Sequence, residues 1–182
     1  MEFQSCRNIL LEVENMGFKV TWKFIDIGVY GNEWISSQMS HDELFEYFDI
    51  ILEREMEKID DIITLFCVRE DDNAVDNVLR DLAEREAQNM SIELRKWRAY
   101  LLKKILDNAN QDCLQGLLEL MEFWLPMKDE TNCPHVFPQN SDKGVSTQQY
   151  FTKSMYKFLL QKNRNWLEEE IDNIINDESI IE

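Results

Sequence analysis

The chain is poor in glycine, proline, histidine and positive charge, and each shortage narrows what it can be. Five Gly and three Pro in 182 residues are too few to punctuate many short strands, which favours long helices. Two histidines leave little for metal or acid–base chemistry. No Gly-rich phosphate loop, Gly-x-Ser-x-Gly elbow or His-Glu-x-x-His pair occurs, so nucleotide, hydrolase and metalloprotease signatures are missing. No apolar run approaches the ~18 residues of a membrane span. The N-terminal stretch lacks the basic, apolar and small-residue order of an export signal, so a cytoplasmic protein is expected. In that setting Cys6, Cys67, Cys113 and Cys133 are expected as reduced thiols, the first three at positions a core would use.

What is present is a globular composition, 44% hydrophobic and 11% aromatic, at a length that supports one sizeable core. Charge is lopsided: 36 acids against 19 bases give −17. Residues 41–86 carry 16 of the acids and five of the bases, and residues 168–182 carry seven acids and no base. Such a field repels nucleic acid and anionic lipid and attracts cationic protein, although acidic faces also serve solubility alone.

The stretch from 91 to 126 organises the rest. Leu94, Trp97, Leu101 and Ile105 recur at helical spacing, with Arg95, Lys96, Arg98, Lys103 and Lys104 between them. A second apolar helix follows through Leu114, Leu117, Leu118, Met121 and Trp124 and stops at Pro126. Before this hairpin, Glu2–Asn15 reads as a docking helix ended by Gly17. Thr21 caps a short helix with Trp22, Ile25 and Val29, a strand over Phe18–Trp22 being the competing reading. Trp22 and Trp34 are expected as core anchors. Ser40-His41-Asp42-Glu43 is a capping box opening a helix through Leu44, Phe48, Ile51 and Leu52. Helices over Glu57–Val68 and from an Asp72 cap through Leu82 complete an acidic group of hairpins. After a Pro-containing loop at 126–144, Ser146 and Gln149 form a second capping box for a long helix to about Asp177, beyond which fraying is expected. The expected fold is all-α: a single domain over 1–182, a bundle of antiparallel helical hairpins or a solenoid-like stack of them, although no repeat period is found.

Candidate chemistry is thin. Cys133-Pro134-His135 lacks the second ligand pair of a zinc site. A Cys133 nucleophile would need a base, with His135 or His41 the candidates, and the sequence supports this weakly. Asp71 opens a run resembling a calcium loop, but Asp76 stands at the glycine position and Leu82 at the closing glutamate. No cofactor, metal or catalytic residue is therefore assigned. The cations between 95 and 104 are read as partners of neighbouring acids, in exposed pairs worth about 0.2–1 kcal/mol each, rather than as a nucleic-acid contact.

Thr21-Trp22-Lys23-Phe24-Ile25-Asp26-Ile27-Gly28, the Ser40 helix, Leu94-Arg95-Lys96-Trp97, Tyr100-Leu101-Leu102-Lys103 and Trp166-Leu167-Glu168 together resemble a family of small bacterial proteins of unknown function. The likeness runs in order through most of residues 20–170. It lapses after Ile105, where a second Trp and an acidic, aromatic loop would be expected and Leu114–Pro126 stands instead. Small acidic members of that family resemble immunity proteins of bacterial toxin systems such as contact-dependent growth inhibition. The resemblance implies a protein that binds a cognate cationic toxin, a nuclease domain foremost, and blocks its active site. The expected contact surface is Asp60, Asp61, Glu70, Asp71, Asp72 and Asp76, with Phe137 as an aromatic anchor. The alternative is a helical adaptor that binds a partner peptide in an apolar groove. No nucleic acid or membrane partner is expected.

Overall fold

The computed structural model describes residues 8–53, 59–87, 89–127, 132–138 and 145–180. Among them are nine α-helices and no strand, so the fold is all-α, and none of these helices is long and apolar enough to cross a membrane. In chain order they are α1 (Ile9–Asn15), α2 (Trp22–Tyr30), α3 (His41–Ile51), α4 (Ile59–Cys67), α5 (Asp72–Arg85), α6 (Met90–Asp107), α7 (Cys113–Trp124), α8 (Thr147–Tyr150) and α9 (Lys153–Ile180). Phe3, Cys6, Glu57 and most of the 126–144 loop lie outside the described residues. The chain divides into two compact units, one of residues 1–97 and 174–182, the other of residues 98–173.

In the first unit, local signals start the helices where side chains can reach free amides. Thr21 accepts from Phe24 N at 3.0 Å, which settles helix over strand for α2. Ser40 and Glu43 form the reciprocal box that opens α3. The cap of α5 is Asp71 rather than Asp72: Asp71 accepts from Ala74 N at 3.2 Å, and Asp72 is the first helical residue. Gly17 ends the turn after α1 at φ +89, with its amide on Glu14 O.

The core of this unit is aromatic. Phe24 stacks on Trp97 with centroids 4.3 Å apart, and the Trp97 indole donates to Phe24 O at 2.9 Å. Gly28 makes that approach possible, since a Cβ there would lie 2.6 Å from the Trp97 ring. Trp22 packs edge-on against Phe48. Trp34, in contrast, is 52% exposed and is not a core anchor. Asn32 explains the switch: its Oδ1 accepts from the Trp34 and Ile35 amides, a local turn that sends Ile35 inward instead. Cys67 is exposed, so it too is not core.

Lys96 corrects the reading of exposed cation pairs. Its side chain has no exposure and lies 3.1 Å from Glu93 and 2.5 Å from Glu178, both buried. It also donates to Lys19 O at 3.0 Å. The last helix also runs past 177: α9 continues to Ile180, with Glu178 in this cluster and Asp177 on Arg95 at 2.5 Å.

The second unit centres on Trp124, which meets Trp166 edge-on and donates to Asn163 Oδ1 at 2.6 Å. Gly116 lies against Tyr156, whose ring a Cβ would reach at 2.3 Å. Pro126 sits in a 3₁₀ turn, Leu125–Met127, that ends α7. Cys113 is half-buried. The Ser146 box forms as expected but serves only α8. The long helix starts afresh at Thr152, whose hydroxyl accepts from Met155 N at 3.2 Å.

Candidate partner-binding face

The acidic face is built by α4 and α5, which pack on each other across a tight turn, and α5 also packs on α2. Apolar residues at 62 and 65 of α4 and at 75, 79 and 82 of α5 turn inward, which leaves the intervening acids outside. Residues 59–86 hold nine acids against three bases. All three arginines are drawn aside: Arg69 over the Phe45 ring at 4.9 Å, Arg80 over Tyr30 at 4.8 Å, and Arg85 to Asp81 one turn away. The acids therefore dominate the face.

Asp60, Glu70, Asp71 and Asp72 are exposed, and Asp61 is half-buried. Asp76 plays a different part. Half-buried, it accepts from the Tyr30 hydroxyl at 2.5 Å, and its Oδ1 lies 3.1 Å from His41 Nε2. The other ring nitrogen, Nδ1, lies 3.1 Å from Asp72 Oδ1. A protonated imidazole can donate to both carboxylates at once and a neutral one to a single carboxylate. His41 thus ties the start of α3 to the first turns of α5. Burial first, then the hydrogen bond to Asp76, hold the Tyr30 hydroxyl well above its ordinary range.

Beside this network a cleft of about 250 Å³ opens among Lys23, Asp26, Tyr30, Arg80, Glu84 and Met90. Asp26 Oδ1 is buried and has no hydrogen-bond partner. Burial raises its carboxyl above the usual range, Arg80 opposes the rise and Glu84 adds to it. No sequence motif announces this cleft. Its only local trace is the Arg80–Glu84 spacing on α5, because Asp26 and Tyr30 come from another helix.

Phe137 belongs to the second unit. It is half-buried, with its ring edge-on to His135 at 4.8 Å. His135 is itself buried and meets the Tyr150 hydroxyl at 2.8 Å. Among the described residues no group of three or more His, Cys, Asp or Glu could hold a metal.

The fold and this face define an all-helical protein with a strongly acidic side. A family model matches residues 11–171, and the chain belongs to that family, described as an uncharacterized protein conserved in bacteria (DUF2247). Neither the curated proteins nor the solved structures give a match.

Proposed function

We propose that this protein is an immunity-type inhibitor: it binds a cognate cationic toxin, a nuclease domain foremost, through the α4–α5 face and covers the toxin's basic groove. The observation that carries the reading is the exposed acid set Asp60, Glu70, Asp71 and Asp72 on a face whose arginines are all drawn onto rings or a neighbouring acid. Enzymes that act on nucleic acid present cationic grooves, and a rigid acidic surface finds such a groove quickly by steering. The inhibition uses no covalent chemistry and no cofactor. The adaptor alternative requires a sizeable apolar groove. The apolar recess lined by Val20, Trp22, Ile25, Phe48, Ile51 and Ile62 has a volume of about 20 Å³, on the order of one water molecule.

The test is capture of partners from a lysate of the source cell at ~50 mM and ~500 mM salt, which lengthens or collapses the reach of surface charge. A single basic protein held at low salt, encoded beside this gene and toxic when expressed alone, is the expected result. Capture of no basic protein, or of a neutral one indifferent to salt, sinks the reading. Asn at positions 60, 71 and 72 together should slow association and flatten its salt dependence.

A further inference from the structure

Along the first half of α9 the charge of the chain is inverted. The sequence holds 36 acids in 182 residues, yet residues 143–167 hold five bases and no acid. Tyr156, Leu159, Asn163 and Leu167 turn inward, which leaves Lys153, Lys157, Phe158, Gln161, Lys162 and Arg164 on the exposed side. Lys153, Lys157 and Arg164 fall on one stripe of the helix, and Phe158, 54% exposed, stands beside it.

Other cations are engaged within the chain: Arg95 with Asp177, Arg98 with Glu170, Lys103 with Asp107, and Arg69 and Arg80 with aromatic rings. Among the described residues, the four cations on this part of α9 meet no carboxylate and lie over no ring. Solubility does not account for them. A net charge of −17 already keeps copies dispersed, these cations reduce it, and an exposed phenyl ring works against it. A basic strip with an uncovered aromatic fits a face of opposite sign with an apolar centre.

The field of the whole chain narrows the occupant. Nucleic acid and anionic lipid are negative throughout, so every approach to the strip also meets repulsion from the rest of the surface. A second copy repels only at a distance, which physiological salt screens beyond about 8 Å. At contact it offers a face of the required kind. Asp60 and Glu70 are exposed on the α4–α5 face, and Ile63, 49% exposed, lies one helical turn from Asp60.

We infer that the Lys153–Arg164 strip of one copy docks on the α4–α5 face of a second, a head-to-tail contact with Phe158 and Ile63 between the opposite charges. The contact uses the acidic face of the immunity reading but requires no toxin.

A small, polar-rimmed contact belongs to the weak class of interfaces, so sedimentation velocity of the full chain is followed up to ~500 μM at ~150 mM salt. The sedimentation coefficient of the wild type should rise with concentration. Lys157→Glu with Arg164→Glu should stay monomeric, and so should Asp60→Lys with Glu70→Lys, all at exposed positions. Mixed together, the two charge-reversed chains should associate again, because each now offers the sign that the other lacks. Phe158→Ser, which alters no charge, should weaken wild-type association about tenfold or more, as the loss of an apolar anchor does. A wild type that remains monomeric overturns the contact, and does so equally if its α9 strip binds single-stranded RNA or phosphatidylserine vesicles instead. Association that survives Lys157→Glu with Arg164→Glu, or a mixture no tighter than either reversed chain alone, overturns it as well. A monomeric wild type that still captures a basic toxin leaves the immunity reading standing, whereas self-association with no basic partner in the lysate does the reverse.

Discussion

His135 shows how a single buried side chain can carry a pH dependence. The Tyr150 hydroxyl lies 2.8 Å from its Nε2 and 3.4 Å from Leu117 O. A chain from Nε2–H to the hydroxyl and on to the carbonyl satisfies these groups, and this tautomer is assigned from the network. It leaves Nδ1 bare in a buried position. A second proton would sit there unpartnered, so burial, with some help from Lys162, depresses the imidazole to about 4. The unfolded chain takes up that proton below about 6.5, while the folded chain resists until about 4. Stability from this group is complete above the unfolded value and is lost as pH falls through that window, by roughly 3 kcal/mol at ~1.4 kcal/mol per pH unit. Urea unfolding followed by tryptophan fluorescence at a series of pH values should show this loss in the wild type. His135→Gln, which keeps a donor for Tyr150, should lack it. Parallel profiles for the two proteins would refute the account.

At the scale of elements, the last turn of α9 is held to the first half of α6 by a desolvated ion cluster. Lys96 serves Glu93, Glu178 and Lys19 O, and the Lys19 amide donates to Glu178 at 3.4 Å. Burial still pushes the Glu93 carboxyl upward, and Lys96 opposes that rise. Removing the cation strands two buried carboxylates, so Lys96→Met should cost about 3–5 kcal/mol. Adding Glu178→Gln should recover part of the loss, measured as the shift in urea midpoint; no recovery would mean that the cluster acts by packing alone. None of this was legible in the sequence. Lys96 stands among four other cations, and Glu178 follows 82 positions later. Capping residues were legible because their partners lie within four positions, as at Thr21, Ser40 and Ser146. Where neighbours compete for one cap, as Asp71 and Asp72 do, the pattern names the pair and not the member. Periodicity placed α6 but misjudged its burial: Leu94, Leu101 and Ile105 are only half-buried, while Ile92, Ala99, Tyr100 and Leu102 are inside. A helix covered on several sides has no single stripe to read.

Across the whole molecule, the excess of 17 negative charges acts on both folding and recognition. Composition alone revealed the acidic face, because acids cluster along residues 41–86. The cleft stayed hidden because Asp26 and Glu84 meet only once α2 packs on α5. Like charges on a compact surface repel, which destabilises the folded state. Raising NaCl from ~10 to ~150 mM shortens the screening length from about 30 to about 8 Å and should relieve that repulsion. The thermal midpoint should rise, and relief on the order of 1 kcal/mol corresponds to about 2–4 °C for a chain of this size. The buried Lys96 cluster lies beyond the reach of mobile ions, so the penalty of Lys96→Met should be the same at both salt concentrations. Calorimetry of the wild type and Lys96→Met at the two concentrations separates these contributions. A midpoint that falls with salt would show that exposed attractions, not repulsion, dominate the surface. A penalty that shrinks with salt would show that the Lys96 cluster is wet.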